Sequence, residues 1–457
     1  MCYNLNVKSF GRSNMRKIKN AVEKHRDLIL DAERYVWQNP ETGYKEFKTT
    51  AYLAEKFESL GYKLTMADGI TGFYTVIDTG KAGPTVMVLG ELDSVICPGH
   101  PECDKTTGAV HSCGHNAQCA ALLGIAAALT EDGMLDGLSG RIKLCAVPAE
   151  ELIEIEYRMK LREEGRISFL VGKSEFLSRG YFDDVDIAFM VHATVGENFA
   201  AFAGAIGCIS KKVIYKGRAS HAGGAPWKGC NALYAATLGI NAANAIRERF
   251  KEEDIIRFHP IMTSGGAMVN AIPEVATLES YVRGKTYDAI IGANKQINQA
   301  LVGAAFSIGA NVEIIDMEGC APLVNSPDMI TLANEAFRGE YPDKKFVIYN
   351  SCSSVGTDMG DLSAVMPVIH PYAPGATGTP HGADYHITDP DTACIKSAVW
   401  QISMIRSLLE NEAVRARKVI EGYKAPFTKD EFLKHQNSVF SSGDRIEYRE
   451  ADAVIKN

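Results

Sequence analysis

Pro84-Thr-Val-Met-Val-Leu-Gly90 is an unbroken apolar run of strand length that passes directly into Glu91-Leu-Asp93. Without the alternation of a half-exposed strand, such a run predicts a strand covered on both faces. Two further segments repeat the pattern: Arg141 to Val147 leads into Pro148-Ala-Glu-Glu151, and Val185 to Val191 leads into His192. Helical spacing fills the intervals, from Arg16 to Trp37 before Pro40, from Thr49 to Leu60 before Gly61, and in the small-residue stretch Cys119 to Leu129. Helices alternating with strands whose carboxyl ends carry polar residues predict an α/β fold with an open mixed or parallel sheet. Its site is then expected outside those strand ends.

From about Ile206 the pattern changes. Cys208 to Tyr215 reads as a strand, Asn231 to Phe250 as a helix, Arg257 to Ser264 and Thr277 to Val282 as strands, Asp288 to Phe306 as a helix and Ala310 to Ile315 as a strand. The order β-α-β-β-α-β is the ferredoxin-like α+β arrangement. The predicted organisation is therefore an α/β domain of residues 1–205 and 322–457, interrupted by an inserted domain of residues 206–321. After Pro322, helices are expected at Asp328 to Phe337 and Thr392 to Val414, and the charged tail from Lys429 reads as peripheral.

The chain has 457 residues, 46% of them hydrophobic and 23% charged, a globular composition too long for one core. Its net charge of -8 provides no excess of positive charge for a phosphate backbone or an anionic lipid surface. Nucleic acid and membrane partners are thus disfavoured. No segment reaches the roughly 18 apolar residues of a spanning helix, and Met1 to Lys19 lacks an apolar signal core, so a cytoplasmic location is expected. Eleven scattered cysteines, an odd number, read as reduced thiols rather than a disulfide framework.

His111-Ser-Cys-Gly-His115 carries the first chemical signal, since a thiolate and an imidazole flanking a glycine suit a borderline-soft metal. By itself the triplet reads equally well as a buried thiol beside a histidine. Glu150-Glu151 and His192, however, also stand at predicted strand ends. Two adjacent carboxylates are costly to desolvate unless a cation neutralises one, which leaves the other free as a general base. The competing reading of the pair is a solvated helix N-terminus.

Taken together, Asn39-Pro-Glu-Thr-Gly-Tyr-Lys-Glu46, Gly90-Glu-Leu-Asp93, His111 to Asn116, Pro148 to Glu151 and His192 resemble the dinuclear-metal aminoacylase and amidohydrolase family of metallopeptidases. That family includes hippurate, auxin-conjugate and p-aminobenzoyl-glutamate hydrolases. The resemblance continues through Gly217-Arg-Ala-Ser-His-Ala-Gly223, Gly229 to Leu233, Val269-Asn-Ala-Ile-Pro273, Arg283 and Pro380-His381, in the right order over most of the chain. It implies that Cys113, His115, Glu151, His192 and His381 bind two divalent ions (zinc, or manganese, cobalt or nickel). It further implies that residues 1–205 and 322–457 are the metal-binding catalytic domain and residues 206–321 a lid or dimerisation domain. Glu150 would be the general base, and Asp93 would orient a ligand imidazole. His221 would hold the oxyanion, and Asn270 and Arg283 the substrate carboxylate, in the neighbouring subunit of a homodimer with a shared active site. The implied activity is hydrolysis of an amide in an N-acyl amino acid, an aminobenzoyl-glutamate-like conjugate or a dipeptide with a free carboxylate.

Several choices stay open in the sequence. His386 competes with His381, although His381 alone follows the family-like Gly378-Thr-Pro380 approach. His100, Cys97 and Cys103 form either a plain loop or a small structural zinc site. His25, His259, His370 and His435 read as surface or packing residues. Leu152 to Glu164 replaces a glycine-rich loop, so that Arg158 or Arg162 is either a specificity contact or part of a solvated helix. Gly356-Thr-Asp-Met-Gly-Asp361 is nearer the p-aminobenzoyl-glutamate type than the hippurate and auxin-conjugate branch. Alternative functions are a cysteine hydrolase using Cys113 and a non-catalytic metal-binding protein on the same scaffold.

Overall fold

The computed structural model describes residues 16–448 and 453–456; Cys2 and most of the Met1 to Lys19 segment lie outside them. The chain forms two compact units. One comprises residues up to Gly204, Val324–Ser351 and Asp361–Thr428; the other comprises Ala205–Leu323, Cys352–Gly360 and Lys429–Asn457.

In the first unit the apolar run becomes strand Thr85–Glu91, every residue of which is buried. It lies at the centre of a six-stranded sheet ordered Thr65–Met66, Phe73–Asp78, Arg141–Val147, Thr85–Glu91, Ile187–Phe189, Val368–Ile369. The last four strands are mutually parallel and the first two pair antiparallel, so the sheet is mixed. Parallel neighbours end on the same side, which brings Glu91, Val147 and Phe189 to a common edge. Helix His115–Leu129 is buried along its whole length beside this sheet. Its alanines and Gly124 permit that depth: a Cβ on Gly124 would stand 2.7 Å from Ile29 Cδ1 of helix Arg26–Gln38.

Local differences from the sequence expectation have identifiable causes. The first helix breaks at Lys24 and His25, where the Lys24 ammonium and the His25 ring both engage Glu131. The small-residue helix starts at His115, four residues earlier than its apolar run, because Gly114 at φ +95° turns the chain into it. The strand expected to end at Val191 closes at Phe189, and His192 instead opens strand His192–Thr194, paired in parallel with Tyr372–Pro374. The late helix becomes a π turn, Asp391–Lys396, followed by Ser397–Gly422, which is interrupted by left-handed Asn411, Glu412 and Ala413.

In the second unit, strands Gly207–Lys216, Val275–Gly284 and Asn311–Glu318 form an antiparallel sheet with Arg257–Phe258 and Ile261–Ser264 at its edge. Helices Ala232–Ala245 and Tyr287–Ser307 pack against it. This is the β-α-β-β-α-β order with the last strand beside the first, and the fold of the chain is α/β with a ferredoxin-like α+β insertion.

The tail corrects the sequence reading. Helix Lys429–Val439 and strand Ile446–Tyr448 belong to the second unit, with Phe432 and Ile446 buried. The chain at Ser441 exchanges two backbone hydrogen bonds with Asp316. The many charges of this segment conceal two widely spaced apolar anchors. Among the described residues no helix is long and apolar enough to cross a membrane.

Candidate metal centre

All the strand-end residues singled out in the sequence belong to the first unit, and the fold gathers them around Cys113. Gly114 fixes the approach: its backbone is left-handed, and a Cβ there would lie 2.5 Å from the Tyr385 hydroxyl. That hydroxyl donates to the Cys113 carbonyl at 3.2 Å. The next residue, His115, is the first of the buried helix. The Cys113 sulfur stands 3.5 Å from His192 Nε2, and the His192 ring is held by the Ala193 carbonyl at its other nitrogen, 2.6 Å away.

Two donor groups share the cysteine. Cys113, His115 and His192 form one, and Cys113, Glu151 and His381 the other, each with its donor atoms within 4.8 Å of one another. A third group, Glu91, His115 and Glu150, adjoins them. His381 Nε2 is 3.2 Å from Glu151 Oε1. Its backbone is left-handed at φ +61°, and its amide donates to the Ser112 carbonyl at 2.8 Å, which ties it to the Cys113 turn. His386 is elsewhere, its ring 5.3 Å from that of Trp37 and 5.0 Å from that of His100. His381 is therefore the histidine that joins the cluster.

Asp93 touches two members of the cluster. Its carboxylate lies 3.3 Å from His115 Nδ1, its carbonyl accepts from the same nitrogen at 2.9 Å, and its other carboxylate oxygen accepts from the Glu151 amide at 2.9 Å. Occupying Nδ1 turns Nε2 of His115 toward Glu91 and Glu150, at 3.2 and 4.0 Å. His115 Nε2 and Glu151 Oε1 are buried with ion-pair contacts at 3.2 Å, to Glu91 and His381, but no well-directed hydrogen bond. Buried donors and acceptors without such a bond, together with sulfur, imidazole and carboxylate in one cluster, are what a divalent cation requires.

The electrostatics agree. Burial and the Glu151 carboxylate push the Cys113 thiol up, but the imidazoles of His115 and His192 prevail and hold it at about 6. Burial raises the Glu151 carboxyl, yet His381 and His115 bring it down to about 2. The Cys113 sulfur and the Glu151 carboxylate are thus anionic at neutral pH, the form a metal takes up. These anions outweigh burial and raise the His115, His192 and His381 imidazoles, which release their protons when a metal binds.

Three neighbours adjoin the cluster without having been assigned to it from the sequence, although Arg158 was one of two readings there. Glu91 is bound on one side by Lys173 Nζ at 2.5 Å and on the other by Gln118 Nε2 at 2.9 Å, with the Glu91 and Lys173 side chains almost wholly buried. Arg158 is also fully buried and is not a solvated helix residue: its guanidinium donates to the carbonyls of Leu170 at 2.6 Å, Ala149 at 3.3 Å and Glu151. It clamps both sides of the glutamate pair, where Ala149 is left-handed at φ +58°. His370 is buried rather than superficial, its ring 5.6 Å from that of His192, and burial drives its pKa down to about 3. The sequence offered no spacing that ties His370 to the metal-ligand motifs, whereas Glu91 lies within Gly90-Glu-Leu-Asp93 and Arg158 within the segment that follows Glu151.

The His100 loop uses its ring internally: Nε2 lies 3.0 Å from the Tyr385 carbonyl, and Nδ1 accepts from the Glu102 amide at 3.1 Å. His221, Asn270 and Arg283 lie in the second unit. His221 is exposed, and its Nδ1 accepts from the Gly223 and Gly224 amides at 3.2 and 3.0 Å. The Asn270 carbonyl accepts from the Ala222 amide at 2.9 Å, and Arg283 lies on strand Val275–Gly284.

Residues 87–404 match the family profile Peptidase family M20/M25/M40. The chain belongs to that family. It is a hydrolase of linear amide or peptide bonds. It is 28% identical over 390 residues to the human Xaa-Arg dipeptidase, a match spanning 79% of this chain and 81% of the relative. It is 26% identical over 317 residues to one of the subunits of the Escherichia coli p-aminobenzoyl-glutamate hydrolase, spanning 67% of this chain and 61% of that relative. A crystal structure of the Bacillus subtilis YXEP protein, described as a dinuclear metal binding peptidase, superposes with a TM-score of 0.61 at 17% identity, covering 86% of this chain and all of that one. This M20 chain carries the Cys113-centred donor groups at the carboxyl ends of its sheet.

Proposed function

We propose that the protein is a cytoplasmic dinuclear-metal amidohydrolase that cleaves an N-acyl amino acid, an aminobenzoyl-glutamate-like conjugate or a dipeptide with a free carboxylate. The observation that carries this reading is the single sulfur of Cys113 shared between two donor groups, with Glu150 beside them. Relatives named for a dipeptide and for an aminobenzoyl-glutamate conjugate support the substrate class.

Cys113, His115, Glu151, His192 and His381 would hold two divalent ions, which when bound supply a water of lowered pKa and polarise the amide carbonyl. Glu150, whose carboxylate reaches to 4.0 Å from His115 Nε2, takes the proton of the attacking water and returns it to the leaving amine. Asp93 holds the His115 tautomer, and Arg158 holds the backbone of the glutamate pair. His221 stabilises the oxyanion, and Asn270 and Arg283 bind the substrate carboxylate, Arg283 through its planar guanidinium fork. These three serve the site of the partner subunit in a homodimer.

The test combines elemental analysis of the purified protein with a screen of N-acyl amino acids and dipeptides, on wild type and Glu150→Gln. The expected result is about two metal ions per chain in both proteins, turnover in the wild type alone, and loss of that turnover on chelation. Turnover that survives chelation and is abolished by thiol alkylation would instead establish Cys113 as a nucleophile.

A further inference from the structure

Cys208 and Cys320 lie 112 residues apart in sequence, yet their sulfurs are 3.6 Å apart within the second unit. Cys208 is the second residue of strand Gly207–Lys216, and Cys320 follows the end of strand Asn311–Glu318 by two residues. The Cys208 amide donates to the Cys320 carbonyl at 2.8 Å, so the backbone holds the pair together as well as the thiols. The intervening Gly319 leaves room for this approach: a Cβ there would stand 2.6 Å from the Cys208 sulfur.

We propose that Cys208 and Cys320 are a redox-active dithiol that peroxide-class oxidants convert reversibly to a disulfide. A contact of 3.6 Å between sulfurs closes to a bond of about 2.05 Å with small side-chain rotations on a backbone already paired. The surroundings favour attack by Cys208. Arg283 faces it across the sheet register, and a Cβ on Gly356 would lie 3.5 Å from the Arg283 guanidinium and 3.6 Å from the Cys320 sulfur, so the cation and both thiols share one corner. The hydrogen bond from Cys320 is the largest influence on the Cys208 thiol; with the charge of Arg283 it outweighs burial and brings the pKa down to about 7. Cys320 is half-buried, and both cysteines line a small cavity with Tyr287, Ile290 and His435.

The Cys208 thiolate attacks one peroxide oxygen, so that an S–O bond forms, the O–O bond breaks and the departing hydroxide takes a proton to become water. The Cys320 thiolate then attacks the Cys208 sulfur, forming the S–S bond and expelling the second oxygen as water after protonation. Two thiols are oxidised and one peroxide is reduced to two waters. The bond joins strand Gly207–Lys216 to the residues that follow its sheet neighbour Asn311–Glu318. It cross-links a loop of more than a hundred residues and raises the thermal midpoint of the second unit.

The experiment treats the metal-loaded protein with hydrogen peroxide and reads intact mass, non-reducing peptide maps and thermal unfolding. Expected are a loss of about 2 Da, one cross-linked peptide containing Cys208 and Cys320, a higher unfolding midpoint, and reversal of all three by dithiothreitol. Cys208→Ser and Cys320→Ser should each fold and show none of these changes. Oxidation that leaves both thiols titratable, stops at sulfinic acid on Cys208, or forms its disulfide between other cysteines would overturn the proposal. None of these readouts depends on the enzyme's substrate, so failure here is distinguishable from failure of the proposed activity.

Discussion

Replacing Lys173 by Met removes the ammonium that pairs with the Glu91 carboxylate from outside the donor cluster. The Nζ to Oε1 distance is 2.5 Å, and the two side chains are 0% and 1% exposed. At that separation, with an effective dielectric of about 20, the attraction is roughly 6 to 7 kcal/mol, most of which offsets the cost of burying the two charges. Removing one partner of a buried pair costs about 3 to 5 kcal/mol, and here the Glu91 carboxylate keeps the His115 imidazole 3.2 Å away in place of the ammonium. Lys173→Met should therefore destabilise the metal-free protein by that amount in equilibrium urea unfolding of the first unit. Glu91→Gln in the same chain should restore most of the loss, because a glutamine oxygen still accepts from Gln118 Nε2, now 2.9 Å from Glu91, and no unpaired charge remains. A second assay, metal titration of the two variants, separates stability from function: Glu91 lies 3.2 Å from His115 Nε2, so the carboxylate left without its ammonium in Lys173→Met alters affinity at that imidazole more than the double variant does. The reasoning is refuted if Lys173→Met unfolds within about 1 kcal/mol of wild type, or if the two substitutions simply add.

Cys113→Ala should lose both metals together, since its sulfur belongs to both donor groups. Changes to residues that merely orient ligands cost about 10- to 100-fold in affinity, and losing a shared ligand should cost more than that by competitive chelator titration; one metal retained at wild-type affinity would break the bridging assignment. Glu340, with Lys19 3.7 Å away, has its carboxyl raised by burial from 4.5 to about 7. The folded state thus holds its proton over a range in which the unfolded state has released it, so stability is complete below about pH 4.5 and declines as pH rises through 7, by up to about 3 kcal/mol. Glu340→Gln should remove that decline between about pH 5 and 8 in urea unfolding, and superimposable wild-type and variant pH profiles would show that the carboxyl is not responsible.

Much of this protein is written locally. The buried run Thr85–Glu91 and its companions Arg141–Val147 and Ile187–Phe189 are apolar because both faces are covered, so their composition alone announces strands and places polar residues at their ends. The ferredoxin-like insertion is legible for the same reason, since its strands and helices alternate in short periodic stretches. Cys113, His115, Glu150, Glu151 and His192 stand in short motifs whose residue types suit metal chemistry, and it is the family resemblance that adds His381 and the division of roles. Long-range geometry decided the rest. That one sulfur joins two donor groups follows from strands brought side by side, and so does the choice of His381 over His386, five residues away. Arg158 sits in a stretch whose composition suggests solvent and nothing local marks Lys173, and only packing shows that carbonyls and a buried carboxylate consume their charges. Cys208 and Cys320 belong together for the same reason: a pairing across 112 residues leaves no local trace, because it arises from the register of an antiparallel sheet and not from spacing along the chain.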